Sequence, residues 1–168
     1  MPSPTNAASF GRRMAVAGLV STLLPLPAAA GNGNREEANK AVIRRLLDEV
    51  QRDGDFAVFE QLFAADYVDH TPFGGFRPDR HGTSEIYRTF RAAFPDWRAE
   101  VHLQIAEGDL VSTYKTYHGT HRGAFLGLAP TDRTTRFAVM DVMRIRDGRI
   151  TDHWTVADGA GLLAQLQG

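Results

Sequence analysis

Phe137, Val139, Met143 and Ile145 fall at alternate positions of one stretch, and Asp141 interrupts the apolar face they form. A carboxylate there would be desolvated unless paired, and lost solvation raises a carboxylate's affinity for a proton, the property a general base needs. His153 follows in the next alternating stretch, Ile150 to Val156, with Thr155 two residues further on. If Asp141 and His153 meet, the pair is a base able to take a proton α to a carbonyl, and Thr155 orients the oxygen that results. The competing reading is a salt bridge or a histidine-to-strand hydrogen bond that only satisfies a buried charge.

Whether the two meet depends on the turn Arg146-Asp147-Gly148. A type I turn with Gly148 in a bulge pairs 145 with 149, which sets 141 opposite 153 and 139 opposite 155, all on one face. A two-residue type I′ turn at Asp147-Gly148 sets 141 opposite Trp154 and sends His153 to the other face. The apolar pairing of Ile145 with Ile150 favours the second.

The elements that must position these residues follow from hydrophobic period. Ala38, Val42, Ile43, Leu46, Leu47 and Val50 predict an amphipathic helix from about Arg35, stopped by Asp53-Gly54. Asp55 caps a second helix with Phe56, Phe59, Leu62 and Phe63 inward, ending before Tyr67. Tyr67 to Gly82, dense in Pro, Gly, Asp and His, reads as a functional loop. Thr83-Ser84 caps a third helix, carrying Ile86, Phe90 and Phe94 and ended by Pro95. The period then changes to two: Trp97, Ala99, Val101, Leu103 and Ile105 predict one face of a strand, with strands over 110–118, 137–145 and 150–156 after it and a short helix over 162–166. Helices first and antiparallel strands afterwards is the α+β order, with a ligand cavity between a curved sheet and the helices.

The remaining candidates divide by position. His121 is a pocket residue or a loop anchor; His118 and His121, three apart on a strand, fall on opposite faces and make a poor metal pair. His102 reads as solvent-facing and His81 as a loop residue, whereas Tyr87, Tyr114 and Tyr117 are equivalent candidates for a donor to a ligand oxygen. Asp158, before Gly159, reads as the cap of the last helix with a second role at the pocket rim, and Trp154 as a pocket wall or interface residue.

The chain has 168 residues, 19 basic against 20 acidic, and no cysteine. Disulfides, thiolate catalysis and cysteine zinc sites are excluded, and no positive field would draw nucleic acid. Arg12-Arg13, the apolar run Met14 to Leu26 and Ala28-Ala29-Ala30 have the three parts of a secretory signal over residues 1–30, the paired arginines suggesting the twin-arginine route. The expectation is an exported protein, periplasmic or secreted, with no membrane insertion after cleavage. Residues 31–34 would form a flexible lead-in to a domain over 35–168, which carries 17 basic and 20 acidic groups.

Seven short strings fall in a recognisable order: Asp69-His70 in a Pro/Gly loop, Phe94-Pro95-Asp96, Ala106-Glu107-Gly108-Asp109, Gly119-Thr120-His121-x-Gly123, Pro130-Thr131-Asp132-Arg133, Met143-Arg144-Ile145-x-Asp147-Gly148-Arg149-Ile150 and His153-Trp154. Over about residues 36–167 the chain resembles the SnoaL-like polyketide cyclases of the nuclear transport factor 2-like, ketosteroid-isomerase-like superfamily. The resemblance implies a cone-shaped α+β barrel enclosing a deep pocket, a homodimer, and no metal or organic cofactor. It implies an aldol ring closure with an aspartate as acid/base, and His70 lining the pocket. It also favours the register that sets 141 opposite 153, which is adopted here. The family's catalytic aspartate matches Thr155 and its partner histidine matches Asp141, so the cyclase mechanism does not carry over unchanged, because a threonine hydroxyl is no carboxylate base. The combined expectation is an exported enzyme of cyclase, isomerase or dehydratase type. It would act on a small hydrophobic or carbonyl-containing ligand through Asp141, His153 and Thr155, with His70, His121, Trp154 and Asp158 in binding roles. The alternatives are a domain of the same fold that binds a small ligand without chemistry, and a dimeric scaffold with its cavity filled by side chains.

Overall fold

The computed structural model describes residues 29–168. The signal sequence read over residues 1–30 lies outside them except for Ala29 and Ala30, which begin helix α1 (Ala29–Arg45). Residues 31–34, expected as a flexible lead-in, belong to that helix, since a helix docked further along gains one backbone hydrogen bond for each residue added at its end. The helix continues as a π-helical stretch, Leu46–Arg52, and stops at Asp53 and Gly54, whose φ is +82°. Its wider turn brings Val50 and Gln51, neighbours in sequence, both inward.

Helix α2 (Phe56–Leu62) is capped as expected: the Asp55 carboxylate accepts from the N–H groups of Ala57 (2.9 Å) and Val58 (3.1 Å). Strand β1 (Phe63–Asp69) follows with no intervening loop, where the sequence reading had the end of a helix and the start of a loop. Its burial lacks a two-residue period, because its pairing with the last strand shifts between Phe63 and Val68. Helix α3 (Arg80–Ala93) begins ahead of the expected Thr83-Ser84 cap. Asp79 caps it through the Gly82 N–H at 3.0 Å, leaving Thr83 buried within the helix and donating to the Tyr67 hydroxyl at 3.3 Å. His81 therefore lies on this helix, not in a loop.

Strands β2 (Arg98–Glu107), β3 (Leu110–Thr120), β4 (Thr134–Arg146) and β5 (Arg149–Ala157) complete a mixed sheet of order β1-β5-β4-β3-β2, with β1 parallel to β5 and every other pair antiparallel. The α+β arrangement expected from the order of elements is the one found. One expectation fails inside β2. Val101 pairs with Lys115 and Leu103 with Tyr114, so His102 is an extra residue, and beyond it Leu103 and Ile105 turn to the outer face, 51 % and 56 % exposed. The concave face closes over α1, the π stretch and α3 around Ile43, Leu46, Val50, Phe59, Phe63, Phe90, Phe94 and Trp97. Helix α4 (Gly159–Gln167) seals the end of the sheet with Leu162 and Leu166, and Asp158 caps it through the Gly161 N–H at 2.8 Å.

Candidate active site

The turn between β4 and β5 decides the site. Asp147 and Gly148 have φ of +50° and +73°, and Arg146 pairs with Arg149 and Ile145 with Ile150, which is the two-residue type I′ arrangement. The adopted register, 141 opposite 153, is therefore incorrect. Yet His153 does not turn away, because Thr151 is an extra residue between the Ile145–Ile150 and Arg144–Asp152 pairs. That bulge restores parity: Met143 stands opposite His153 and Asp141 opposite Thr155.

Asp141, His153 and Thr155 consequently line one cavity, of about 110 Å³, walled by Ile86, Phe90, Trp97, Phe137, Val139 and Leu162 among others. They do not form the expected dyad. Each charged member has another partner. His153 Nδ1 lies 3.1 Å from Asp69 Oδ1, its neighbour across the parallel β1–β5 pairing. An ionised carboxylate can only accept, so Nδ1 carries a proton, and it is the neutral ring, with its lone pair on Nε2, that can act as a base. Asp69 is held in turn by the Thr71 N–H at 3.0 Å, and both Asp69 and Thr71 line the cavity. Asp141 pairs with Lys115, which is fully buried on β3 and donates to Asp141 Oδ2. Residues 113 and 141 face each other across β3 and β4, so Lys115 lies diagonally from Asp141 on the inner face.

Three residues that sequence reasoning passed over thus complete the site. Asp69 was visible only as part of the Asp69-His70 string, and the choice between the two depended on an unrecognised strand. Lys115 alternates in phase with Val111, Thr113 and Tyr117, all inward, and that phase was its one available signal. Gln51 is brought inward by the π stretch and accepts from the Tyr117 hydroxyl at 2.7 Å. Among the candidate tyrosines, Tyr87 and Tyr117 line the cavity, whereas Tyr114 faces outward. Burial, opposed slightly by Gln51 and assisted by the Asp141 charge, pushes both inner phenols well above their ordinary range, so they remain O–H donors.

The other expected binding residues lie away from the cavity. His70 Nε2 bonds Asp152 Oδ1 at 2.9 Å, and its ring stacks on Trp154 at 4.4 Å with the planes 2° apart. Trp154 alternates with His153 and Thr155 and so faces outward, under the Arg144 guanidinium. His121 is fully buried beside Phe94, with Nδ1 3.1 Å from Thr131 Oγ1 and its backbone bonded to Asp132 and Arg133, which makes it a loop anchor. His118 bonds Glu100 at 3.0 Å, so the two histidines do not share a site. Asp158 caps α4 and Gly159 is the cavity residue beside it. No cluster of metal-ligating side chains occurs among the described residues.

The arrangement offers an imidazole backed by a carboxylate, a hydroxyl on the same strand face, and the Tyr87 phenol as a donor, the Tyr117 proton being taken by Gln51, in a cavity whose larger walls are aromatic and aliphatic. Such a set can take and return a proton on a ligand whose developing oxygen charge needs hydrogen bonds. Nogalonic acid methyl ester cyclase of Streptomyces nogalater is 38 % identical over 77 residues, which span 45 % of this chain and 58 % of that enzyme, so the chain aligns with little more than half of that relative. The crystal structure of IdmH from Streptomyces antibioticus, assigned as a polyketide cyclase, superposes with a TM-score of 0.68 at 35 % identity, covering 77 % of this chain and 99 % of that one. A protein from Acidithiobacillus ferrooxidans with the same assignment gives 0.68 at 26 % identity, over 77 % and 94 %. The family model that describes SnoaL-like polyketide cyclases matches residues 41–166, and with the fold and the cavity in agreement, the chain belongs to that family.

Proposed function

We propose that the protein is an exported cofactor-independent enzyme of cyclase or isomerase type that acts on a small carbonyl-bearing ligand by proton transfer, with the Asp69–His153 pair as its base. The observation that carries the reading is His153 on the cavity wall with Nδ1 bound to Asp69, beside Thr155. In the reaction His153 Nε2 takes the proton from the carbon α to the carbonyl, Asp69 stabilises the imidazolium, and Thr155 and the phenol of Tyr87 are the donors for the enolate oxygen, while the Tyr117 proton is held by Gln51. In a cyclisation the α-carbon then bonds to a second carbonyl carbon, and the imidazolium returns its proton to the alkoxide. In an isomerisation the proton returns to a different carbon. Thr155 is an orienting group in either case, so a threonine at that position is compatible with the chemistry once the base is His153.

Export through the arginine-paired leader would place this chemistry outside the cytoplasm, which favours scavenging or detoxification over assembly of a metabolite. A homodimer would bury the outer sheet face, where Leu103, Ile105, Tyr114, Met140 and Val156 form an exposed apolar surface.

The test is exchange of α-protons into deuterated water, followed by NMR, with meta-hydroxyacetophenone as probe. His153→Asn keeps a donor where Nδ1 stood and removes the base, and exchange should fall by about 10²- to 10⁴-fold. Asp69→Asn should lower it as well, since the amide no longer enforces the productive tautomer. Equal exchange by wild type and His153→Asn refutes the assignment.

A further inference from the structure

Two buried polar atoms belonging to cavity-lining residues have no partner among the described residues: Asp141 Oδ1, an acceptor, and Trp97 Nε1, a donor. Both residues are 3 % exposed. Lys115 takes only Oδ2 of Asp141. The pair is therefore neutral overall, and one carboxylate oxygen is left without a proton to accept. Buried groups in folded proteins seldom go unmatched, and a ligand that supplies the missing partners recovers what their desolvation costs.

The walls say what carries those partners. Phe90, Trp97 and Phe137 offer flat apolar surfaces. The cavity, about 110 Å³, is of the order of the roughly 150 Å³ known to hold one benzene ring. Asp141 stands opposite Thr155, so His153 is its diagonal neighbour across β4 and β5, and diagonal residues lie about 7–8 Å apart. That separation suits groups at two positions of a single ring.

We propose that Asp141, held by Lys115, and Trp97 are specificity-determining residues that select a single-ring ketone carrying a hydroxyl group. The ring hydroxyl donates to Asp141 Oδ1, a ligand oxygen accepts from Trp97 Nε1, and the ketone side chain reaches His153. The inference rests on the proposed reading of the cavity as a site for a carbonyl-bearing ligand, and it assigns Asp141 to recognition in place of proton abstraction.

Titration calorimetry of the full chain with meta-hydroxyacetophenone, meta-methoxyacetophenone and acetophenone tests it. Wild type should bind the hydroxyl compound about tenfold or more tightly than the methoxy compound, which has no proton to give to a charged acceptor. In Lys115→Met/Asp141→Leu that preference should vanish. Trp97→Phe, which removes only the N–H donor, should weaken all three ketones and leave the preference for hydroxyl intact. Equal affinity of wild type for the hydroxyl and methoxy compounds overturns the proposal, as does a preference that survives the double substitution. A hydroxyl preference without α-proton exchange supports the proposal and removes His153 as base; exchange without the preference does the reverse. Binding of none of the three overturns both.

Discussion

Replacing Lys115 by Met should destabilise the protein far more than the loss of one surface charge would. Lys115 is fully buried and its ammonium sits on the Asp141 carboxylate, itself 3 % exposed. Removing the cation leaves a carboxylate desolvated with no counter-charge, and breaking a buried pair from one side costs about 3–5 kcal/mol. A buried carboxylate stripped of its counter-charge can take up a proton and avoid part of that cost, so the lower end applies: about 3 kcal/mol. For a chain of this size each kcal/mol moves Tm by roughly 2–4 °C, giving a fall of roughly 6–12 °C. Removing both charges, as in Lys115→Met/Asp141→Leu, replaces the pair with apolar groups of similar bulk and should return Tm most of the way, because no uncompensated charge remains. Thermal melts of wild type, both single variants and the double variant, followed by circular dichroism, form a complete cycle. A Lys115→Met protein within about 2 °C of wild type, less than one kcal/mol predicts, would show that the pair is solvated and would refute the reasoning.

Three further outcomes are expected. Asp55→Ala removes the acceptor for two N–H groups at the start of α2 and should cost about 1 kcal/mol, seen as a Tm lower by roughly 2–4 °C. Burial alone would raise the Asp152 carboxyl, but the bonds from His70 and Thr151 and the Arg144 charge outweigh it and hold the group below its usual range. Its stabilising contribution is thus present above the ordinary carboxylate value and lost as pH falls through the lowered one, so the difference between wild type and Asp152→Asn in urea melts should be largest near neutrality and shrink below about pH 4. Leu103→Glu together with Val156→Glu puts two charges on the outer sheet face; if the proposed homodimer forms through that face, wild type should run as a dimer and the variant as a monomer in light scattering after gel filtration, with α-proton exchange per chain retained.

The site is assembled by two single-residue bulges acting in opposite ways. In β2 the extra residue His102 sends Leu103 and Ile105 outward and creates the apolar outer face. In β5 the extra residue Thr151 rescues His153 from the outward position that the tight type I′ turn would impose. Because the side-chain period of a strand is two, one inserted residue exchanges the faces of everything beyond it. Family membership and cavity chemistry are then linked by what stands at each inward position. Asp69 and His153, neighbours across the parallel strand pair, hold a carboxylate and an imidazole in contact, and Asp141 and Thr155 face each other on the same wall.

Local patterns were enough to specify much of this. The stripe from Val42 to Val50, the Asp55 cap and the alternation from Phe137 to Ile145 each depend on neighbours within a few residues, and each stands where the sequence puts it; the turn at Asp147-Gly148 is in place too, but in the type I′ form and not the one adopted, and Ala38 is exposed. The placement of Asp141, His153 and Thr155 on one cavity wall was legible too, although by a different register. What the chain could not disclose locally was pairing between distant segments. Strand β1 has no period of its own and exists because β5, more than 80 residues later, hydrogen-bonds to it. That contact chose Asp69 over Asp141 as the partner of His153, turned His70 away onto Trp154, and left Asp141 to a lysine on a strand between them in sequence. Periodicity reports which face a residue takes; which charge it meets is decided by the order of strands in the sheet and by bulges whose energetic reason lies in packing across it.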